Sequence, residues 1–132
     1  MHWYHTNIEQ QTHDNTNFRK VLYTGKHTQL VLMSLQPEEE IGLEVHHDND
    51  QFFRFESGQW KAIIDGHEYD LHDGVAIIIP AGAEHNIINI STTDPLQMYT
   101  LYSPPHHRDG IIHATKAQAE QDDEDFDGRT TE

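Results

Sequence analysis

An all-β chain, folded as an antiparallel sandwich or barrel, is what this sequence predicts. Three observations carry that reading. Short apolar runs recur between about Phe18 and Tyr102, turn residues punctuate them, and no helical pattern separates them. The 132 residues suit one domain with a core of its own.

Taken in order, residues 1–17 are polar and read as an N-terminal arm, irregular or opening on a strand. Strand-like runs at Phe18 to Tyr23 and Gln29 to Leu35 flank Thr24-Gly25-Lys26, a hairpin signal. Gln51 to Phe55 and Gln59 to Ile64 flank Ser57-Gly58, and Asp65-Gly66 is the residue pair that a type I′ hairpin turn favours. Val75 to Ile79, Glu84 to Ile90 and Leu96 to Tyr102 bring the count to eight or nine strands. Residues 18–103 therefore form the barrel, and residues 104–132 a proline-led loop, a short helix and an acidic tail. The helix falls between His113 and Gln121, where Thr115-x-x-Gln118 has capping-box spacing. The last dozen residues read as a frayed tail.

Composition narrows function. Eight Lys and Arg against 23 Asp and Glu give a formal charge of −15, which repels phosphate backbones and anionic lipid. Nucleic acid and membranes are thus not the expected partners. The chain has no cysteine, which removes thiolate and disulfide chemistry. No secretory pattern or membrane-length apolar run is visible, so a cytoplasmic protein is expected. Twelve histidines are a hint of metal chemistry. Most of them, His2, His5, His13, His27, His67, His72 and His113, lie in polar contexts that read as surface.

Period-two alternation places residues i and i+2 on one strand face. In Gly42-Leu-Glu-Val-His-His47 that rule pairs Glu44 with His46. Gln51 shares a face with Phe53 and Phe55, and His85 opens a distant strand made otherwise of isoleucine and asparagine. The stretch Gly74, Pro80, Gly82, His85, Asn89 keeps every interval of the second motif of the cupins, and the chain resembles a small single-domain cupin of the RmlC-like type. Gly58 fixes the register of the first motif, with six residues between it and the Glu slot that Gln51 fills. Glu44 and His46 then occupy the two His slots, and Glu38 stands where the motif begins with Gly. Between Gly58 and Gly74 lie 15 residues, a compact inter-motif length.

The resemblance implies a double-stranded β-helix, or jelly-roll barrel, with a short C-terminal helix. It also implies one divalent metal ion (Mn, Fe, Ni or Zn) held by Glu44, His46, Gln51 and His85. Two imidazoles, a carboxylate and an amide oxygen suit such ions, and four protein donors leave positions for a bidentate chelator. A register using His47 and Asp50 breaks the spacing to Gly58 and turns His47 away from Glu44. Phe53, Phe55, Asn89 and Tyr102 are expected around the pocket, and His106 and His107 either close the mouth or decorate a loop.

The expected function is that of a metal-dependent enzyme on a small polar or chelating molecule: a sugar derivative, hydroxy acid or diketone, by isomerase, lyase or dioxygenase chemistry. The alternative is a non-catalytic barrel that binds a small ligand or sugar. A homodimer is expected, paired through an outward patch of Phe52, Trp60 and an N-terminal strand.

Overall fold

Every apolar run of the sequence is short, so each strand can bury only one face and must stack that face on another sheet. The computed structural model, which describes residues 2–132, meets this with two antiparallel sheets; Met1 of the expected arm lies outside the described residues. The strands are β1 (Arg19–Thr24), β2 (Gln29–Leu35), β3 (Glu44–Val45), β4 (Asp50–Ser57), β5 (Gln59–Ile64), β6 (His67–His72), β7 (Ala76–Ile79), β8 (Glu84–Asn89), β9 (Leu96–Ser103) and β10 (Ile112–His113). Six form one sheet in the order β10-β1-β2-β9-β4-β7, and four form the other in the order β3-β8-β5-β6. The chain passes repeatedly from one sheet to the other, as between β2 and β3, β4 and β5, and β8 and β9, which gives the jelly roll the sequence predicts.

Inner faces alternate as expected. Val31, Met33 and Leu35 of β2, Phe53 and Phe55 of β4, Trp60 and Ala62 of β5, Ile87 of β8, and Leu96 and Met98 of β9 fill the core. Burying one such large side chain in full contributes about 1.5–3 kcal/mol relative to leaving it in water. Trp60 therefore does not belong to an outward patch. It is fully buried with its ring 4.3 Å from Phe55, edge to face.

Local chemistry sets the turns. Asp65 and Gly66 both take positive φ, 47° and 82°, which suits the two-residue hairpin between β5 and β6. Glu38, in the slot where the first motif begins with Gly, has φ of 66°. The chain keeps the left-handed backbone there without the residue that adopts it most easily.

Two segments differ from expectation. The N-terminal arm holds a helix, α1 (Ile8–Asp14), begun by the Asn7 side chain accepting from the Gln10 N–H. The acidic tail after α2 (Lys116–Gln121) is fastened rather than frayed. Glu124 accepts from the Arg108 N–H at 2.8 Å and pairs with His107, Phe126 N–H donates to the His106 carbonyl, and Thr131 N–H donates to the Thr24 carbonyl. A short-range reading cannot see such partners, which lie 16 residues or more away in the chain.

Gly58 joins β4 to β5 with φ of 113°, and a Cβ there would stand 3.1 Å from Leu96 Cδ1, 3.2 Å from the Pro95 carbonyl oxygen and 3.3 Å from Trp60 Nε1. Gly58→Ala should lower stability by about 1–3 kcal/mol, since strain and close contact act together. Denaturant unfolding of the two proteins measures it, and an unchanged midpoint would count against this turn geometry.

Candidate metal centre

Polar side chains reach the barrel interior because of one turn and one strand pairing. After Ile79 the chain turns through Pro80-Ala81-Gly82, with Gly82 at φ 90° and the Ala83 N–H donating to the Pro80 carbonyl. The Gly82 N–H donates to the His46 carbonyl at 2.9 Å, tying the turn to the segment after β3. From there β8 alternates His85, Ile87 and Asn89 inward, with His85 only 1% exposed. β3 pairs with β8 so that Glu44 lies directly opposite His85. Residues opposite each other on one face have neighbouring side chains, and His46 follows two residues after Glu44.

The resulting cluster is tight. His46 Nε2 lies 3.1 Å and His85 Nε2 4.0 Å from the same Glu44 oxygen, Oε2. One donor atom from each of the three residues falls within 4.8 Å of the others. His85 Nδ1 is 3.1 Å from the Ala83 carbonyl, which can only accept, so Nδ1 carries the proton. In the neutral ring Nε2 is then a bare lone pair, buried and without a hydrogen-bond partner, turned toward a carboxylate oxygen. Two acceptors facing each other repel, and a cation between them relieves the repulsion.

Gln51 repeats the pattern. Its amide nitrogen donates to Thr100 Oγ1 at 3.0 Å, and its Oε1 is left buried and unpartnered. These orphaned acceptors are what a divalent ion requires, and an Nδ1–H donated to a backbone carbonyl is the outer-shell contact that orients metal-binding histidines. The donor set thus fits a metal.

Protonation follows from burial. Burial holds the His85 ring below the ordinary histidine range, favouring the neutral ligand form. Burial alone would raise the Glu44 carboxyl, but the hydrogen bond and charge of His46 hold it below the usual carboxylate range. Burial raises the Tyr102 phenol, so it remains a donor. His106 is pushed down to about 4 by burial and by the neighbouring His107 and His46.

The other expected residues are distributed as follows. Tyr102, buried, meets His46 edge to face at 5.6 Å. Phe53 and Phe55 share the Gln51 face, but they stack on each other at 6.0 Å within the core and line neither cavity beside the cluster. Asn89 is not a pocket residue. Its side-chain nitrogen donates to the carbonyls of Leu35, Gln36 and Asp94, and its oxygen accepts from the Ser91 N–H, which leaves nothing for a ligand. His47 is exposed and Asp50 accepts from the Ala81 N–H, so neither joins the cluster.

The mouth also holds residues that sequence reasoning left open or missed. His106 packs its ring 4.5 Å from His46, and His107 is buried and bonded to Glu124 at 2.6 Å. The backbone N–H groups of both histidines donate to Gln29 Oε1, which seats the Pro104-Pro105 loop over the barrel. His113, expected at the surface, is 4% exposed and bonded to Asp122. Two cavities flank the cluster. One of about 180 Å³ is lined by Phe18, Arg19, Ile41, Glu44, Lys116, Ala119 and Glu120. The other, of about 410 Å³, runs past His46, His106 and the tail residues Asp125 and Phe126. Arg19 was legible as a charged residue in phase with inward-facing Val21.

Among known proteins, the family model described as the cupin domain matches residues 31–102. The chain is 44% identical over 119 residues to the protein YrkC of Bacillus subtilis, covering 86% of this chain and 63%, under two thirds, of that protein's length. It is equally 44% identical over 119 residues to the protein L612 of Acanthamoeba polyphaga mimivirus, covering 88% of this chain and 74% of that one. Among solved structures it is similar to BH2720 of Bacillus halodurans, with 41% identity, a TM-score of 0.87, and coverage of 90% of this chain and 94% of that one.

Two measurements test the site. Gln51→Ala should weaken metal binding less than His85→Ala, because a neutral amide oxygen is a poorer donor than imidazole. Titration with Mn²⁺ or Zn²⁺ reads both, and equal or reversed losses would contradict this donor set. In metal-free protein, the low value of His106 means that the unfolded chain takes up a proton the folded one refuses. Stability should therefore be complete above about 6.5 and fall as pH drops toward about 4. Thermal melts across that range should show a shallower fall for His106→Gln, and identical slopes would rule out His106 as a source.

Proposed function

The chain belongs to the cupin domain family, and from that premise we propose that it is a metal-dependent enzyme acting on a small polar molecule that chelates its ion. The observation that carries this reading is His85 Nε2, a buried acceptor left without a partner 4.0 Å from the Glu44 oxygen that also lies 3.1 Å from His46 Nε2. Glu44, His46, Gln51 and His85 would hold one divalent ion, Mn, Fe, Ni or Zn. Such an ion supplies Lewis acidity and lowers the pKa of bound water.

The chain's own residues define the rest. With one anionic ligand, the loaded site keeps a net positive charge and favours anionic or chelating oxygens such as those of a hydroxy acid, a diketone or a sugar acid. Tyr102, held protonated by burial, packs against His46, and His106, held neutral, is an acceptor beside it. The Pro104-Pro105 loop and the fastened tail line the larger cavity together with His46 and His106. Isomerase, lyase and dioxygenase reactions are the chemistries this arrangement supports. A homodimer is part of the same reading, with Phe52 and exposed Ile78, register partners on the outer face of the six-stranded sheet, as its apolar contact.

Metal analysis after growth with Mn, Fe, Ni and Zn supplied should find close to one ion per wild-type chain, and almost none in a Glu44→Ala, His46→Ala, His85→Ala variant. Equally metal-poor proteins would end the metal reading. With metal bound, O₂ uptake and product analysis over diketones, hydroxy acids and uronates should find turnover. Tight binding of one compound with turnover of none would favour a ligand-binding barrel instead.

A further inference from the structure

Basic side chains are scarce here, eight Lys and Arg in the chain, yet two of them line the small cavity that ends at the metal ligand Glu44. Arg19 enters from β1 and Lys116 from the start of α2. The larger cavity on the other side of the cluster is lined by Asp48 and Asp125 and by no Lys or Arg. The small cavity thus sets two cations against two carboxylates, Glu44 and Glu120, whereas the larger one carries carboxylates without a Lys or Arg.

Arg19 is held in place by its surroundings. Nη1 lies 3.4 Å from Nδ1 of His113, whose Nε2 lies 2.9 Å from Asp122 Oδ2. If Nε2–H donates to the carboxylate, Nδ1 is left to accept from the guanidinium, so Asp122 and His113 orient Arg19 in series. The Phe18 ring sits 5.4 Å beneath the guanidinium carbon. After these contacts the Arg19 Nε remains buried and without a partner. A guanidinium presents its donors as a rigid fork that matches a carboxylate, and an unused buried donor beside a cavity is unfavourable until an acceptor arrives.

We propose that Arg19, assisted by Lys116, binds a second carboxylate of the substrate, so that the ligand is a small hydroxy- or oxo-dicarboxylate with one end on the metal and the other on Arg19. The proposal rests on the metal-dependent reading above. Glu120, which also lines the cavity, pairs with Lys116 at 3.8 Å and offsets part of its charge, so Arg19 is the main cation left for a ligand. The cavity, of about 180 Å³, suits a short acid.

The test compares malate with 2-hydroxybutyrate, which has the same chelating end and lacks the second carboxylate. Isothermal titration of the metal-loaded wild type should find malate at least about tenfold tighter, the scale of one hydrogen bond to a charged group. Arg19→Met should remove that preference while leaving metal content and 2-hydroxybutyrate binding unchanged. Arg19→Lys should restore part of it, and Lys116→Met should weaken it less. A metal-loaded wild type that binds both acids alike overturns this proposal alone, with no variant needed. Retention of the full preference by a folded, metal-loaded Arg19→Met protein does the same. A wild type that takes up no metal overturns both this proposal and the reading on which it rests.

Discussion

A buried imidazole lone pair facing a partly exposed carboxylate, with no proton between them, is the constraint on which this structure turns. Glu44 and His85 are register partners in a sheet, so the pairing of β3 with β8 holds their side chains side by side. The Ala83 carbonyl fixes the imidazole proton on the far nitrogen, so the ring cannot relieve the repulsion by donating to Glu44. An exchange of the proton to Nε2 would instead set Nδ1 lone pair against carbonyl lone pair. A cation shared between the two groups would relieve that repulsion, which is why the donor set fits a metal.

Much of the surrounding architecture holds that arrangement. The Pro80-Ala81-Gly82 turn aims β8, and its bond to the His46 carbonyl links the two ligand-bearing segments. Gln29, fully buried, accepts from both His106 and His107 and donates to the His107 carbonyl and to Thr24, so one side chain carries the loop over the mouth. Burial alone would raise the Glu124 carboxyl, yet the His107 ring and the Arg108 N–H hold it below the usual carboxylate range. Its ionised form anchors the tail against that same loop. Net acidity and local order are therefore compatible, because carboxylates of the tail are committed to specific donors.

What could be read from the sequence follows the range of the interactions involved. The strand Gln59–Ile64 and the Asp65-Gly66 turn depend on neighbours within a few residues, and both were legible. His85 was legible because an imidazole among isoleucines conflicts with a buried strand unless it has a task. Asn89 obeys the same alternation and invited the same inference. Its four backbone partners come from the β2 exit and from the loop after β8, and period-two logic says nothing about which loops arrive there. Trp60 was misassigned outward because β-alternation gives two faces without saying which is inner, and only packing against Phe55 decides it. The tail and His113 were illegible for a simpler reason: a polar residue in a polar segment carries no local sign of a partner on another strand.

The distribution of charge turns these local facts into a direction of approach. A protein of net charge −15 repels small anions over its whole surface, more strongly at low ionic strength. An anionic ligand therefore needs a local reversal of potential, and Arg19 and Lys116 provide it beside the carboxylate that an ion would neutralise. The centre itself keeps one anionic donor: Gln51 removes a carboxylate from the slot where the resemblance would place one, and Glu44 returns one in a slot for imidazole. A divalent ion there would keep a net positive charge. Arg19 on β1 and the loaded centre would then attract an anion from both ends of the same small cavity, within a barrel that is otherwise acidic.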